Sequence, residues 1–227
     1  MNKLYKDGLK MKTLLISSSP HKEKSQTLLL AKEVLRGCAD SAESEIIHLC
    51  DYNIEFCRHC EACHKRILQC PIKDDVHLIL EKMLDAKGII LASPNYINQV
   101  TASIKALFDR SSHFIHCKRL LGKYIAGVVS SGSGQDKEVL DYIKHYSHTC
   151  GAQYAGGVSS NVPISDEKKE EAFNLGKSLS VVIKDKRLFS DQIKIIEAAK
   201  VHFKRVMEKR KDEWLEEYLY WKDKGWL

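Results

Sequence analysis

Apolar positions along the chain fall into short uninterrupted runs separated by stretches of helical periodicity, and the alternation begins at Met11. Thr13 to Ser17 reads as a buried strand, because a short apolar run stops abruptly in a Ser/Pro cluster. Leu28, Leu29, Ala31, Val34 and Leu35 then recur at helical spacing and predict a helix over about Thr27 to Cys38. Glu45 to Leu49 predicts a second strand, and Asp75 to Leu84 a helix with Asp74 or Asp75 as its N-cap. Gly88 to Ala92 is a third strand ending in Ser93-Pro94-Asn95-Tyr96, and Thr101 to Phe108 is helical again. Tyr124 to Val129 is a fourth strand ending in Ser130-Ser131-Gly132-Ser133-Gly134, followed by a helix from about Asp136 to His148 and a fifth strand near Gln153 to Val158. Strands alternating with helices imply an α/β fold built on a doubly wound, five-stranded parallel sheet.

Beyond Ser165 the pattern is helical, broken near Lys186 to Asp191. The last helix, Gln192 to about Trp221, carries Ile193, Ile196, Ala199, Phe203 and Val206 at helical spacing, then an aromatic group of Trp214, Tyr218, Tyr220, Trp221 and Trp226. It is expected to pack on the domain or on a partner subunit; a lid over a cofactor is the sharper alternative. The expected division is a domain over 11–160, including a cysteine-rich insertion after the second strand, and helical completion with a C-terminal extension over 161–227.

Composition narrows the function. With 227 residues, 29% of them charged and 44% hydrophobic, the chain suits one globular domain with an appendage. The formal net charge is +6, but Lys and Arg interleave with Asp and Glu, as from Lys168 to Glu171, which marks solvated helix faces. Without a segregated basic stripe, a helix-turn-helix or an aromatic RNA-binding pattern, nucleic acid is not an expected partner. No apolar run approaches the roughly 20 residues that span a bilayer, and Met1 to Lys10 lacks the apolar stretch of a signal peptide. A cytoplasmic protein with no membrane partner is expected, with either Met1 or Met11 as its start.

Three strands end in loops rich in Ser, Gly, Pro and Asn, and in a doubly wound sheet such loops gather at the carboxyl edge. With strand order 2-1-3-4-5 the loops after strands one, three and four become neighbours around one crevice. The first loop, Ser17 to Thr27, leads into a helix N-terminus, where exposed amides favour a phosphate. It lacks both G-x-x-x-x-G-K-[ST] and G-x-G-x-x-G, so nucleoside triphosphate and dinucleotide sites are disfavoured.

Cys57-x-x-Cys60-x-x-Cys63-x6-Cys70 is the strongest chemical motif of the chain. Three thiols at successive two-residue gaps can wrap one cubane, and a fourth completes tetrathiolate ligation of a [4Fe-4S] cluster; Cys70 precedes a proline, as in bacterial ferredoxins. Zinc is the main rival, although zinc sites favour two separated cysteine pairs. Redox thiols rank third and unliganded buried cysteines last. His59 and His64 inside the motif are expected to face solvent or to support the ligands, and Cys38, Cys50, Cys117 and Cys150 to be small core or helix residues.

Taken together, Ser19-Pro20 with Ser25-Gln26-Thr27, Ser93-Pro94-Asn95-Tyr96 with Lys105 and Asp109-Arg110, and Cys70-Pro71-Ile72-Lys73-Asp74-Asp75 resemble the NADPH-dependent FMN reductase superfamily of flavodoxin-like proteins. The similarity covers roughly Met11 to Val158, and with the compact cysteine motif the chain most resembles the iron–sulfur flavoproteins within it. The resemblance implies FMN and a flavodoxin-like fold, with phosphate binding by Ser19, His21, Ser25, Gln26 and Thr27, Pro20 as a further cofactor-binding residue, and isoalloxazine contacts from Pro94, Asn95, Tyr96 and Ile97. It also implies closure over the flavin by Ser130, Ser131, Gly132 and Gly134, and metal ligation by Cys57, Cys60, Cys63 and Cys70. Family members often carry Arg where this chain has His21, and Gly-Asn-Thr where it has Ser25-Gln26-Thr27, so phosphate charge falls to His21, Lys22 or Lys24. Asp109 and Arg110 are read as a structural ion pair.

The implied activity is an oxidoreductase in which a ferredoxin-like donor feeds the cluster and FMN reduces a small acceptor, with no catalytic side chain because the flavin carries the chemistry. A homodimer or homotetramer is implied. Two alternatives stand beside it: an NAD(P)H-dependent FMN or quinone reductase whose cysteines hold zinc or nothing, and a non-enzymatic flavodoxin-like carrier or redox sensor.

Overall fold

The computed structural model describes residues 11–38 and 42–227, so the expectation for Met1 to Lys10 lies outside the described residues. Strands β1 (Met11–Ser17), β2 (Ala42–His48), β3 (Gly88–Pro94), β4 (Tyr124–Ser131) and β5 (Gln153–Asn161) pair in parallel in the order β2-β1-β3-β4-β5. This is the flavodoxin-like order. β3 and β4 are nearly continuous apolar runs because helices cover both faces, leaving no solvated side on which polar residues could alternate.

Helices α1 (Gln26–Cys38) and α7 (Asp166–Lys184) cover one face, where Leu28, Ala31, Val34 and Leu179 pack on Leu15, Ile90 and Val128. The other face carries α3 (Val76–Asp85), α4 (Ala102–Asp109), α5 (Ser112–His116) and α6 (Lys137–Thr149), with Ile79, Met83, Leu107, Phe114 and Ile143 on Leu14, Ile89 and Ile125. α7 begins at a Ser165 N-cap whose side chain accepts from the Lys168 amide at 3.2 Å, with Asp166 and Glu167 in the positive first turn.

α1 and α7 cross where Gly37 meets Gly176. A Cβ built on Gly176 would sit closer than 3.0 Å to the backbone of Val34 and to Gly37, and backbone cannot swing aside. Gly176→Ala is therefore expected to lower stability by about 2–3 kcal/mol, read as a drop in urea midpoint at unchanged slope.

The C-terminal region differs from its sequence expectation. One long helix was expected to Trp221, but α8 (Ser190–Lys209) ends at Arg210, and a turn leads into α9 (Leu215–Asp223). The turn lets Trp214 and Trp221 fold back into a small separate core with Cys117 and Met207, which a straight helix could not fill from one side. Two short helices, α2 (Ala62–Lys65) inside the cysteine segment and α5, had no periodic signature because each is barely one turn long.

Candidate functional site

Two clefts concentrate the chemistry. The first lies at the carboxyl rim, where the loops after β1, β3 and β4 enclose about 260 Å³ lined by Ser19, His21, Lys24, Ser25, Gln26, Thr27, Pro94, Asn95, Tyr96, Ser130, Ser131, Gly132 and Val162. Ser25 caps α1 by accepting from the Leu28 amide at 3.2 Å, which leaves the first-turn amides of Gln26 and Thr27 for a ligand. Thr27 Oγ1 and Ser130 Oγ, 2.6 Å apart and buried, lock the first loop to the fourth. Asn95 lines the cleft and donates from Nδ2 to Gln135 O at 2.6 Å, while its Oδ1 is buried without a partner.

Of the three expected phosphate cations, His21 and Lys24 line the cleft, whereas Lys22 turns away to pair with Asp51. Pro20 and Ile97 do not line it, and Gly134 lines a neighbouring hollow with Asp136 and Asn161. Ile97, which is 99% exposed, adopts positive φ together with Asn98, a conformation favoured only where tertiary structure imposes it. Val162 was not expected as a cofactor contact; it arrives from the loop after β5, whose signal the sequence reading did not include.

The second cleft brings Cys57, Cys60, Cys63 and Cys70 together with Asp109, Arg110 and Ser112. The cysteine segment starts beside the first loop, where the Cys50 thiol approaches Ser19 O at 3.9 Å, and ends beside α3. His59, Glu61 and Leu68 hold positive φ, giving the segment tight reversals. Arg110 anchors it. Its guanidinium grips Asp74 with two bonds of 2.6 and 3.0 Å, donates to Glu55 O at 2.8 Å and reaches Cys70 Sγ at 3.4 Å. Burial opposes charge on Asp74, but Arg110 and the Glu55 and Val76 amides outweigh it and hold the carboxyl below its usual range. Burial also pushes the Cys63 thiol up to about 11, only partly opposed by Ser112 Oγ at 3.5 Å.

The two clefts share no lining residue. α4 leaves the rim after the β3 loop and delivers Arg110 at its far end.

The segment is also held by the C-terminal helix. His64, expected to face solvent or support the ligands, is buried, and its Nδ1 meets Glu217 Oε1 at 2.8 Å; His116 Nδ1 meets Glu217 Oε2 at 3.0 Å. Trp214 donates from Nε1 to Glu61 at 3.1 Å, and Glu216 accepts from the Ile67 amide at 2.7 Å. The expected Asp109–Arg110 ion pair is not formed. Asp109 pairs one turn back with Lys105 at 2.5 Å, while Arg110 points inward to Asp74. Cys38, Cys117 and Cys150 are buried as expected, but Cys50 is exposed.

Residues 11–166 match the family model described as NADPH-dependent FMN reductase. An iron–sulfur flavoprotein of Methanocaldococcus jannaschii is 35% identical over 77% of this chain and 98% of its own length. Another iron–sulfur flavoprotein, from Archaeoglobus fulgidus, is 42% identical over 54% of this chain, and the match spans 60% of that relative. Among solved structures, a flavone reductase superposes with a TM-score of 0.61 at 21% identity, covering 77% of this chain and 64% of that one. An NADH:FMN oxidoreductase superposes with a TM-score of 0.58 at 21% identity, over 75% and 89% of the two chains. The structural likenesses establish a shared fold.

Proposed function

The chain belongs to the iron–sulfur flavoproteins of the NADPH-dependent FMN reductase family and is a flavin-dependent oxidoreductase; from that premise we propose that it binds FMN in the rim cleft and a [4Fe-4S] cluster on Cys57, Cys60, Cys63 and Cys70. The proposal extends to a cytoplasmic homodimer or homotetramer that takes single electrons from a ferredoxin-like carrier, or reducing equivalents from NAD(P)H, and passes them to a small acceptor. The observation that carries it is the convergence of four cysteines on one cleft, in a chain whose rim loops converge on another.

Bound FMN accepts a hydride or single electrons, and an iron–sulfur cluster exchanges one electron at a time, so the pair interconverts two-electron and one-electron chemistry. The chain's own residues bind and orient. Ser19, Ser25 and the Gln26 and Thr27 amides would hold the phosphate, with His21 and Lys24 compensating its charge. Pro94, Asn95 and Tyr96 would line the ring, Asn95 Oδ1 finding there the donor it lacks. At the other cleft, the Arg110 guanidinium, 3.4 Å from Cys70 Sγ, would hold that sulfur in place for ligation. Cys57 and Cys60 are exposed beside Phe56, itself 75% exposed, which leaves this edge open to an electron carrier or a second subunit.

Anaerobic purification followed by assay of iron, acid-labile sulfide and released FMN tests the reading. The expected stoichiometry is one FMN with about four iron and four sulfide per chain; zinc without sulfide would remove the relay, and absence of flavin would remove the reductase. Thr27→Val, which cuts the tie between the first and fourth loops, is expected to weaken FMN binding about tenfold in a fluorescence titration of the apoflavoprotein.

A further inference from the structure

Glu217 is fully buried, and α9 places it on the same face as Trp214 and Trp221. A carboxylate on an apolar stripe must be neutralised where it lies. The groups that meet it are two imidazoles from separate elements, His64 of α2 and His116 at the end of α5, each turning Nδ1 toward a different carboxylate oxygen. The three donor atoms all lie within 4.8 Å of one another. The imidazole rings are 4.7 Å apart between centroids, and Trp214 lies against both, at 4.5 Å from His64 and 4.9 Å from His116, fixing their orientation.

We infer that His64, His116 and Glu217 form a site for one divalent transition metal, zinc or ferrous iron, distinct from the four-thiolate site. Two imidazoles bound at about 2.0–2.1 Å with a tetrahedral angle between them have ring centroids about 5 Å apart, close to the 4.7 Å between these rings, which lie 23° from parallel. Two histidines and a carboxylate suit such an ion, and three protein ligands leave one position for water. His113, one turn before His116, contributes a further imidazole within electrostatic reach of Glu217, with both ring nitrogens buried and unpartnered. The ion would clip α9 to α2 and α5, tying the cysteine segment to the C-terminal helix. The inference does not depend on what the thiols hold.

The competing arrangement is a metal-free network in which both imidazoles donate to the carboxylate, and His116→Asn separates the two. The asparagine amide can still donate to Glu217 from nearly the same position as Nδ1, but it is a poor ligand for zinc. The protein with cluster and flavin in place is washed with a mild chelator, exposed anaerobically to zinc or cobalt(II), desalted and analysed for metals. Wild type should retain one zinc per chain beyond its iron and gain thermal stability with added zinc. His116→Asn and Glu217→Gln should each lower zinc retention at least about tenfold. The cobalt form should show ligand-field bands without sulfur-to-cobalt charge transfer. Retention of zinc by His116→Asn at the wild-type level, no retention by wild type, or a thiolate charge-transfer band would each overturn the assignment. Should Glu217→Gln fold poorly, His116→Asn and the cobalt spectrum decide alone, and unchanged iron, sulfide and FMN in that variant keep failure here distinguishable from failure of the flavin–cluster reading.

Discussion

Replacing Cys60 with serine is expected to reduce bound iron and acid-labile sulfide to below roughly a tenth of the wild-type content while leaving FMN content nearly unchanged. Serine occupies almost the same volume, and Cys60 is exposed, so packing barely registers the change. Ligation does, because a hydroxyl gives up its proton far less readily than a thiol at neutral pH. Flavin should survive because no residue lining the thiol cleft lines the rim cleft. Metal and sulfide assays with the flavin absorbance of the same sample check it. Retention of a full complement of iron would sink the assignment of Cys60 as a ligand, and joint loss of flavin would mean that the two sites are coupled through folding.

Arg110→Met should cost about 3 kcal/mol of stability, measured by urea unfolding at neutral pH. Methionine preserves much of the aliphatic volume but withdraws the cation from Asp74, whose side chain is 1% exposed, and strands Glu55 O. The pH dependence gives a second signature. In wild type the carboxyl of Asp74 is held below its unfolded value near 3.9. Its contribution is therefore present above about pH 4 and fades as pH falls through the lowered folded value. In Arg110→Met burial acts without the guanidinium, the carboxyl moves upward, and stability should instead decline as pH rises above about 4. Adding Asp74→Asn to Arg110→Met should recover part of the loss and flatten that slope. A loss under about 1 kcal/mol with an unchanged pH profile would show that water, rather than Arg110, stabilises Asp74.

The sheet was legible because strands buried on both faces leave uninterrupted apolar runs, and each ended in small polar residues that mark a turn. The rim loops followed from that reading, since parallel strands bring all their carboxyl ends to one edge. The cysteine motif was legible from spacing alone. What escaped depends on partners distant in sequence. Nothing near Arg110 points to Asp74, and adjacency made Asp109 the natural guess, although Lys105 one turn earlier is the residue Asp109 can reach. His64 looked like a polar residue of an exposed loop because its partner lies 153 positions away. A usable sign was present: Glu217 stands three residues after Trp214 and four before Trp221, a carboxylate set into an aromatic stripe. The break between α8 and α9 was hidden because the stretch from Arg210 to Trp214 contains neither Gly nor Pro, and only the demand of the small aromatic core turns the chain there.

The hold of α9 on the cysteine segment imposes an order on biogenesis. During synthesis the cysteine motif emerges long before residues 214–217, whose side chains fasten Glu61, His64 and Ile67. The sheet can assemble on the ribosome as its strands appear, but the segment in the middle of the sequence gains this hold only once residues 149 to 153 positions further along have been made. Until then Arg110 holds the loop from one side only, and a messenger cut short before Trp214 would yield a cysteine loop that lacks its second fastening.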